Sequence, residues 1–253
     1  MRTSNIFIIA FFIFILSGML TLFFVTKNHK KIQDKNYFSE EMALPHFSVI
    51  VGNPDSEFSI ESSDTNKLKI SYPGKKKVVM PLPFLVRNDT LYINKTNEKK
   101  ERMYTYVTSD GYKQILSLVV QCAGIKKLIA RQTNHINIGY YQSDSLSIES
   151  DKGFVNLGLG VFDKDQSMVS KIGKLTYSGQ KKSFLFIERT QVEKMVVKLQ
   201  KSSVRINYGN AIKSISAAIK DSSNFRYHVD NRDAPTKMDF KSDESSCFFL
   251  DKN

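Results

Sequence analysis

Tryptophan is absent, histidine occurs four times, and only two cysteines, Cys122 and Cys247, stand in 253 residues. So little cysteine excludes a disulfide framework, and with neither residue in a CxxC pair, redox and zinc-finger chemistry have no basis. Cys122 closes the apolar pattern 115–122, where a buried free thiol is the ordinary outcome. Cys247, in Ser-Ser-Cys-Phe-Phe-Leu, leaves open a bridge that would pin the tail of an exported body. His29, His46, His135 and His228 share no metal-ligand spacing, and neither HExxH nor GxSxG occurs, so zinc-protease and α/β-hydrolase readings fall away. No metal site and no cofactor are expected. With six prolines and a body rich in Ser, Lys, Ile, Val and Tyr, the composition suits strands and turns better than helices.

Charge is missing altogether from residues 6–25, IFIIAFFIFILSGMLTLFFV. Twenty helical residues at about 1.5 Å each span roughly 30 Å, the hydrocarbon thickness of a bilayer. The run exceeds the apolar stretch of a secretory signal and leaves through Phe23, Phe24, Val25 and Thr26 with no small-x-small cleavage site. It is therefore expected to be an uncleaved anchor whose partner is the lipid bilayer. Lys27, Lys30, Lys31 and Lys35 follow it and only Arg2 precedes it, a bias that taken literally puts the body inside the cell. The short N-terminal tail and the strand-rich body favour the opposite side, so the expected location is the inner membrane, single-pass, with a periplasmic body.

The formal net charge is +12, yet Lys and Arg are spread along the chain and often sit beside acids, as in residues 98–102. A general basic surface facing anionic lipid or polysaccharide follows more directly than a nucleic-acid site, and no nucleic acid is expected.

Beyond a polar stalk over residues 27–43, short alternating segments follow one another: 47–51, 57–60, 68–72, 83–87 and 91–93. Gly52-Asn53-Pro54-Asp55, residues 62–66 and Asn88-Asp89 mark turns between them, while 75–81 and 94–102 read as insertions. Phe58 and Ile60 share one face with Ser59 on the other, the period of a half-buried strand. Further on, 128–130 and 135–138 are answered by 146–148 and 154–157, with strands also at 175–177 and 184–187. Val196 to Leu199, Ser202-Ser203 and 204–208 recur about twenty residues later as 216–219, Ser222-Ser223 and 225–227. A period near twenty predicts an all-β solenoid, in which each turn of chain covers its apolar face with the next. Stacked Ser-Ser corners would suit it; a β-sandwich with Ser-Ser hairpin turns is the alternative.

The grammar Phe47-Ser-Val-Ile-Val, Phe58-Ser-Ile, Leu68-Lys-Ile-Ser-Tyr and Asn88-Asp-Thr-Leu-Tyr-Ile, followed by Ser202-Ser203 and Ser222-Ser223, resembles the GIN domain family of auto-transporter adhesin head domains. Such domains are frequent in envelope proteins of Bacteroidetes. The resemblance covers most of residues 44–230 and implies a right-handed β-helical body, with 231–253 left as a cap or loose tail. Glycine is scarcer at the corners than in that family, where residues 200–203 and 220–223 stand.

The chemical motifs are thin. Gly158-Leu159-Gly160 lacks the third glycine and the helix of a dinucleotide loop and reads as a bend. Ser178 and Lys181 match SxxK, and Tyr177 with Lys181 matches YxxxK, but both pairs need a helix and lie between two strands joined by a Ser-Gly turn. Asn88-Asp89-Thr90 and Asn94-Lys95-Thr96 are glycosylation triplets without meaning in a bacterial envelope. Tyr140 and Tyr141 are the aromatics best placed to stack on a sugar, although corner packing is the commoner role. No catalytic, cofactor or metal residue is assigned. The reading is a non-enzymatic binding or scaffolding protein with a protein or glycan partner. Two alternatives remain: a polysaccharide-acting enzyme, for which Asp144, Glu149, Asp151, Asp163 and Asp165 are the nearest acids, and a transmembrane regulator with a cytoplasmic body.

Overall fold

The computed structural model describes residues 15–19, 37–73, 84–93, 104–108, 111–115, 117–133, 135–158, 169–207, 209–229, 235 and 237–252. The chain divides into two units, Met1–Phe38 with Pro73–Lys77, and Ser39–Tyr72 with Val78–Asn253. In the first, residues 15–19 are helical and exposed. Among the described residues no helix is long and apolar enough to cross a membrane, and the rest of the expected span 6–25 lies outside them. The insertions at 75–81 and 94–102 lie outside them too.

Elsewhere the described backbone is almost wholly strand. The N-terminal part contributes β1 (Tyr37–Ala43), β2 (Val49–Gly52), β3 (Glu57–Ser62), β4 (Lys67–Pro73), β5 (Phe84–Arg87), β6 (Thr90–Ile93), β7 (Tyr104–Thr108), β8 (Gly111–Ile115) and β9 (Ser117–Cys122). Then come β10 (Lys127–Arg131), β11 (His135–Ile138), β12 (Gln142–Asp151), β13 (Phe154–Leu157), β14 (Ser170–Gln180) and β15 (Phe184–Ile187). The last six are β16 (Thr190–Gln200), β17 (Ser203–Ile206), β18 (Ala211–Lys220), β19 (Asn224–Val229), β20 (Lys237–Ser242) and β21 (Cys247–Lys252). Residues 231–253, read as a cap or loose tail, thus contribute two strands, and β1 begins within the stretch read as stalk.

Two large sheets take these strands in turn. A 10-stranded sheet runs β1-β4-β9-β3-β11-β13-β15-β17-β19-β21, and a 9-stranded sheet runs β20-β18-β16-β14-β12-β10-β2-β6-β5. From β10 on, every even strand enters the second sheet and every odd strand the first, each parallel to the strand two places further along. Val196 pairs with Ser216 and Val204 with Phe225, offsets of 20 and 21 residues, so the strand period read from these segments is their register, whereas Leu146 with Leu175 and Phe154 with Phe184 are offset by 29 and 30. The Ser-Ser pairs do not align as read: Ser203 pairs with Asn224, which sets Ser202 against Ser223 instead of Ser222.

Alternation then builds the core without further help. One inward column of the nine-stranded sheet is Leu91, Ile50, Leu128, Ile148, Tyr177, Val197 and Ala217, all almost fully buried. It shares the interior with Ile60, Ile138, Leu157, Ile187, Ile206 and Tyr227 of the ten-stranded sheet. Sealing such side chains contributes about 1.5–3 kcal/mol each. At the β20–β21 end the Phe240 ring packs on Phe248 and Phe225, with centroids 3.9 and 5.4 Å away. At the other end antiparallel β4 and β5 pair with β9 and β6, a change of direction that stops the parallel ladder.

The corner between the two sheets explains how the chain turns without glycine. Asp55, Gln132, Lys152, Lys182, Lys201 and Ser222 all hold positive φ, between 51 and 71°. A buried residue with a short side chain or none follows each of the six: Ser56, Thr133, Gly153, Ser183, Ser202 and Ser223. Ser202 N donates to Ser223 Oγ at 3.3 Å, and Ser223 N to Ser246 Oγ at 3.2 Å, so the hydroxyls satisfy backbone donors that the turn removes from the ladder. Strands β12, β14, β16 and β18 also bend near their starts, where Asp144, Gly173, Glu193 and Lys213 drop out of the pairing.

Candidate functional site

The catalytic-looking motifs come apart once placed. Tyr177 is fully buried while Lys181 sits on the exposed corner, 3.0 Å from Asp151. Ser178 points outward from a strand, and that strand runs on through Gly179 to Gln180, so the turn lies at Lys181-Lys182 and not at Ser-Gly. Gly179 is required there because a Cβ would meet the Tyr177 hydroxyl at 2.8 Å. Burial pushes the Tyr177 hydroxyl pKa well up, as expected for a core group. Glu149 and Asp151 stand on one face of β12, but each holds its own lysine, Lys127 at 2.7 Å and Lys181 at 3.0 Å, and not each other. Asp144 lies at the bend of β12, and Asp163 and Asp165 lie outside the described residues.

One arrangement does imitate a triad. His46 Nδ1 lies 3.2 Å from Asp89 Oδ1, and the Ser48 hydroxyl donates to Asp89 Oδ2. Ser and His share the carboxylate without touching each other, so the histidine cannot take the serine proton, which nucleophilic catalysis requires. The Ser48 bond is also what holds the Asp89 carboxyl below its ordinary range, with His46 adding to it. The set fastens the Asn88-Asp89 hairpin, where both residues hold positive φ as a two-residue turn demands.

Tyr141 is not a surface aromatic. It is 0 % exposed, its hydroxyl donates to Ile125 O at 3.0 Å and accepts from Ile125 N, and burial lifts its pKa to about 12. Tyr140 is part-exposed and bonds Gln142. Gly158, read as a bend, is one, with φ +90° at the end of β13; Leu159 and Gly160 lie outside the described residues.

The cysteines cannot join. β9 and β21 are seven places apart in the ten-stranded sheet, about 34 Å at ~4.8 Å per strand, and both thiols are free. Burial pushes the Cys122 thiol up to about 12, while Cys247 is exposed. Iodoacetamide at about pH 8 should therefore modify Cys247 alone in the native protein and both thiols in denaturant. Peptide mapping that finds label on native Cys122 would contradict its place in the core.

What the sheets do bring together is a ladder of side chains on the outer face of the ten-stranded sheet. Register places His135, Phe154 and Phe184 in line, and their rings stack at 4.7 and 5.0 Å, interplanar angles 24 and 10°. Beside them Asn137, Asn156, Phe186, Arg205 and Arg226 form a second line. Asn156 Nδ2 donates to Asn137 Oδ1 at 2.9 Å. His135 Nε2 lies 2.7 Å from Asn137 Oδ1 and 2.8 Å from Asn156 Nδ2, so the tautomer decides which it bonds: protonated, it donates to Asn137; bare, it accepts from Asn156. Arg226 lies over the Phe249 ring at 5.2 Å, and Phe249 is 40 % exposed. At the head of the first line Glu57 pairs in register with His135; burial raises its carboxyl pKa and the His135 charge partly offsets that. Among the described residues no group of His, Cys, Asp or Glu is arranged to hold a metal.

A face that alternates flat rings with amides and guanidinium groups stacks on planar or ring-shaped partners and bonds their hydroxyls or amides. Among the described residues of this face, His135 is engaged by the amides of Asn137 and Asn156. The sequence carried a signal for it that went unread: in the four-residue strand Phe-Leu-Phe-Ile, the buried Leu185 and Ile187 force Phe184 and Phe186 outward.

No family model matches the chain, and no curated protein matches it in sequence. In fold it is similar to the crystal structure of a candidate adhesin from Bacteroides fragilis NCTC 9343, with a TM-score of 0.51 at 11% identity, covering 87% of this chain and 98% of that one. A candidate adhesin from Parabacteroides merdae ATCC 43184 gives a TM-score of 0.48 at 13% identity over 85% and 96% of the chains. A candidate lipid-binding protein from Parabacteroides distasonis ATCC 8503 gives 0.45 at 13% identity over 86% and 94%.

Proposed function

We propose that the protein is a non-enzymatic, membrane-anchored β-solenoid whose ten-stranded sheet offers its outer ladder to a partner protein or glycan. The observation that carries this is the stacked His135-Phe154-Phe184 line beside Asn137 and Phe186, part-exposed side chains that the core does not use, with the buried Asn156 amide bonded to Asn137 between them. The alternating parallel strands support the solenoid, with the offset near 20 residues as one turn. Similarity in fold to a Bacteroides fragilis candidate adhesin supports placing residues 44–230 with the GIN domain family.

In this reading residues 6–25 are a single span, the chain from residue 27 to the start of β1 is a stalk, β20 and β21 cap the two sheets, and the body stands in the periplasm, held to the inner membrane. Two tests follow. In intact spheroplasts, added protease should remove the body, whereas a body cut only after lysis would make it cytoplasmic. Binding of the full-length protein in neutral detergent to envelope glycans and proteins should depend on Phe184 and Phe186.

A further inference from the structure

The nine-stranded sheet carries a different chemistry on its outer face. Lys174, Lys194, Lys198, Lys220, Lys237 and Lys241 stand at exposed positions of β14, β16, β18 and β20. Scattered along the sequence, they are gathered by a register near twenty into one panel, and among the described residues none has an ion-pair partner. Nearer β10 the lysines are paired instead, Lys127 with Glu149 at 2.7 Å and Lys181 with Asp151 at 3.0 Å. Beyond the bend, Asp239 is the one carboxylate at an outward position of these four strands. Lys174 and Lys194 are direct register partners, a like-charge pair on neighbouring strands that costs stability. A cleft of about 440 Å³ crosses the panel, with the short Ser178 and Ala218 as its floor and Lys198, Lys220 and Lys241 around it.

We propose that this panel binds an anionic polysaccharide, a chain bearing uronate or sulfate groups laid across the strands. Charge complementarity carries it: unpaired ammonium groups recur across the panel, Lys174 and Lys194 on neighbouring strands about 4.8 Å apart and Lys198 and Lys241 in one row two strands apart, over a floor of small and hydroxyl side chains that a sugar ring can approach. The outward positions hold no aromatic ring, so the stacking platform of a single-stranded nucleic-acid site is missing. They hold one apolar side chain larger than alanine, Val196, too little to enter a bilayer surface. The site lies on the opposite sheet from the aromatic ladder and does not depend on it.

The test is fluorescence anisotropy of labelled alginate oligomers with the full-length protein in neutral detergent, at about 50 to about 200 mM salt. Affinity should fall steeply with salt. Lys194→Gln/Lys198→Gln/Lys241→Gln should weaken binding about tenfold or more and flatten the salt dependence, while arginine at the same three positions keeps it within about threefold. Phe184→Ser/Phe186→Ser should leave alginate binding unchanged, which separates this site from the ladder. The glutamine and arginine variants share the native thermal midpoint if the lysines serve binding alone. Alginate bound no better than neutral dextran, or equally by the glutamine variant, overturns the proposal. So does tighter lysine-dependent binding of phosphatidylglycerol-containing micelles or of homopolymer DNA at equal charge.

Discussion

Gly158→Ala should destabilise the body by about 3 kcal/mol or more, enough to remove much of a typical domain's stability. Its φ of +90° is a region that alanine enters only under strain, and the added Cβ would lie 1.7 Å from the Glu188 carbonyl oxygen. No rotamer relieves a clash with backbone. Relief requires β13 and β15 to part where Glu188 N donates to Leu157 O at 2.9 Å, while Gly158 N is held on the other side by Ile138 O of β11 at 2.8 Å. Two other glycines grade the effect. Gly209 shares the conformation, φ +78°, with nothing within 4 Å of a Cβ, so Gly209→Ala should cost about 1 kcal/mol. Gly124 has ordinary φ and its nearest neighbour, the Tyr141 hydroxyl, is 3.7 Å away, so Gly124→Ala should change little. Urea unfolding of the three variants should rank them in that order; equal losses at Gly158 and Gly209 would mean that the strands do not approach as closely as described.

Phe184→Ser/Phe186→Ser should weaken partner binding by at least about tenfold, the loss expected when aromatic anchors leave an interface. Phe184 ends the ring stack, 5.0 Å from Phe154, and Phe186 lies in register between Asn156 and Arg205, so the pair spans both lines of the ladder. Their stability cost is separable. A ring pair contributes about 0.5–1.5 kcal/mol, and the buried Leu185 and Ile187 keep the strand in place. Phe184→Tyr, which keeps the stack, should bind like the native protein.

The strand period and most strand positions were legible because alternation and offset are properties of the chain alone: Val196 with Ser216 and Leu199 with Ile219 pair as their sequences match. Corner residues were not. Lys182 and Lys201 turn the chain at positive φ that sequence preference assigns to glycine, and the buried hydroxyls behind them satisfy the backbone only because a neighbouring corner stands alongside. The site was misplaced for a related reason. Tyr141 carries the same local signal as an exposed aromatic, and only the buried Ile125 backbone bonded to its hydroxyl shows that it belongs to the core. The ladder and the lysine panel consist of residues about twenty or thirty apart, so each exists only once the register is known. Cys122 and Cys247 left a bridge open in sequence that the strand order closes.

The most direct test is to apply the full-length protein, in neutral detergent, to an array of envelope polysaccharides and purified envelope proteins, following both retention and release of sugar products. Saturable retention on one partner, reduced at least about tenfold in Phe184→Ser/Phe186→Ser with no product released, is the expected result. Release of oligosaccharides, or retention that the variant leaves unchanged, would contradict a binding module that works through this face.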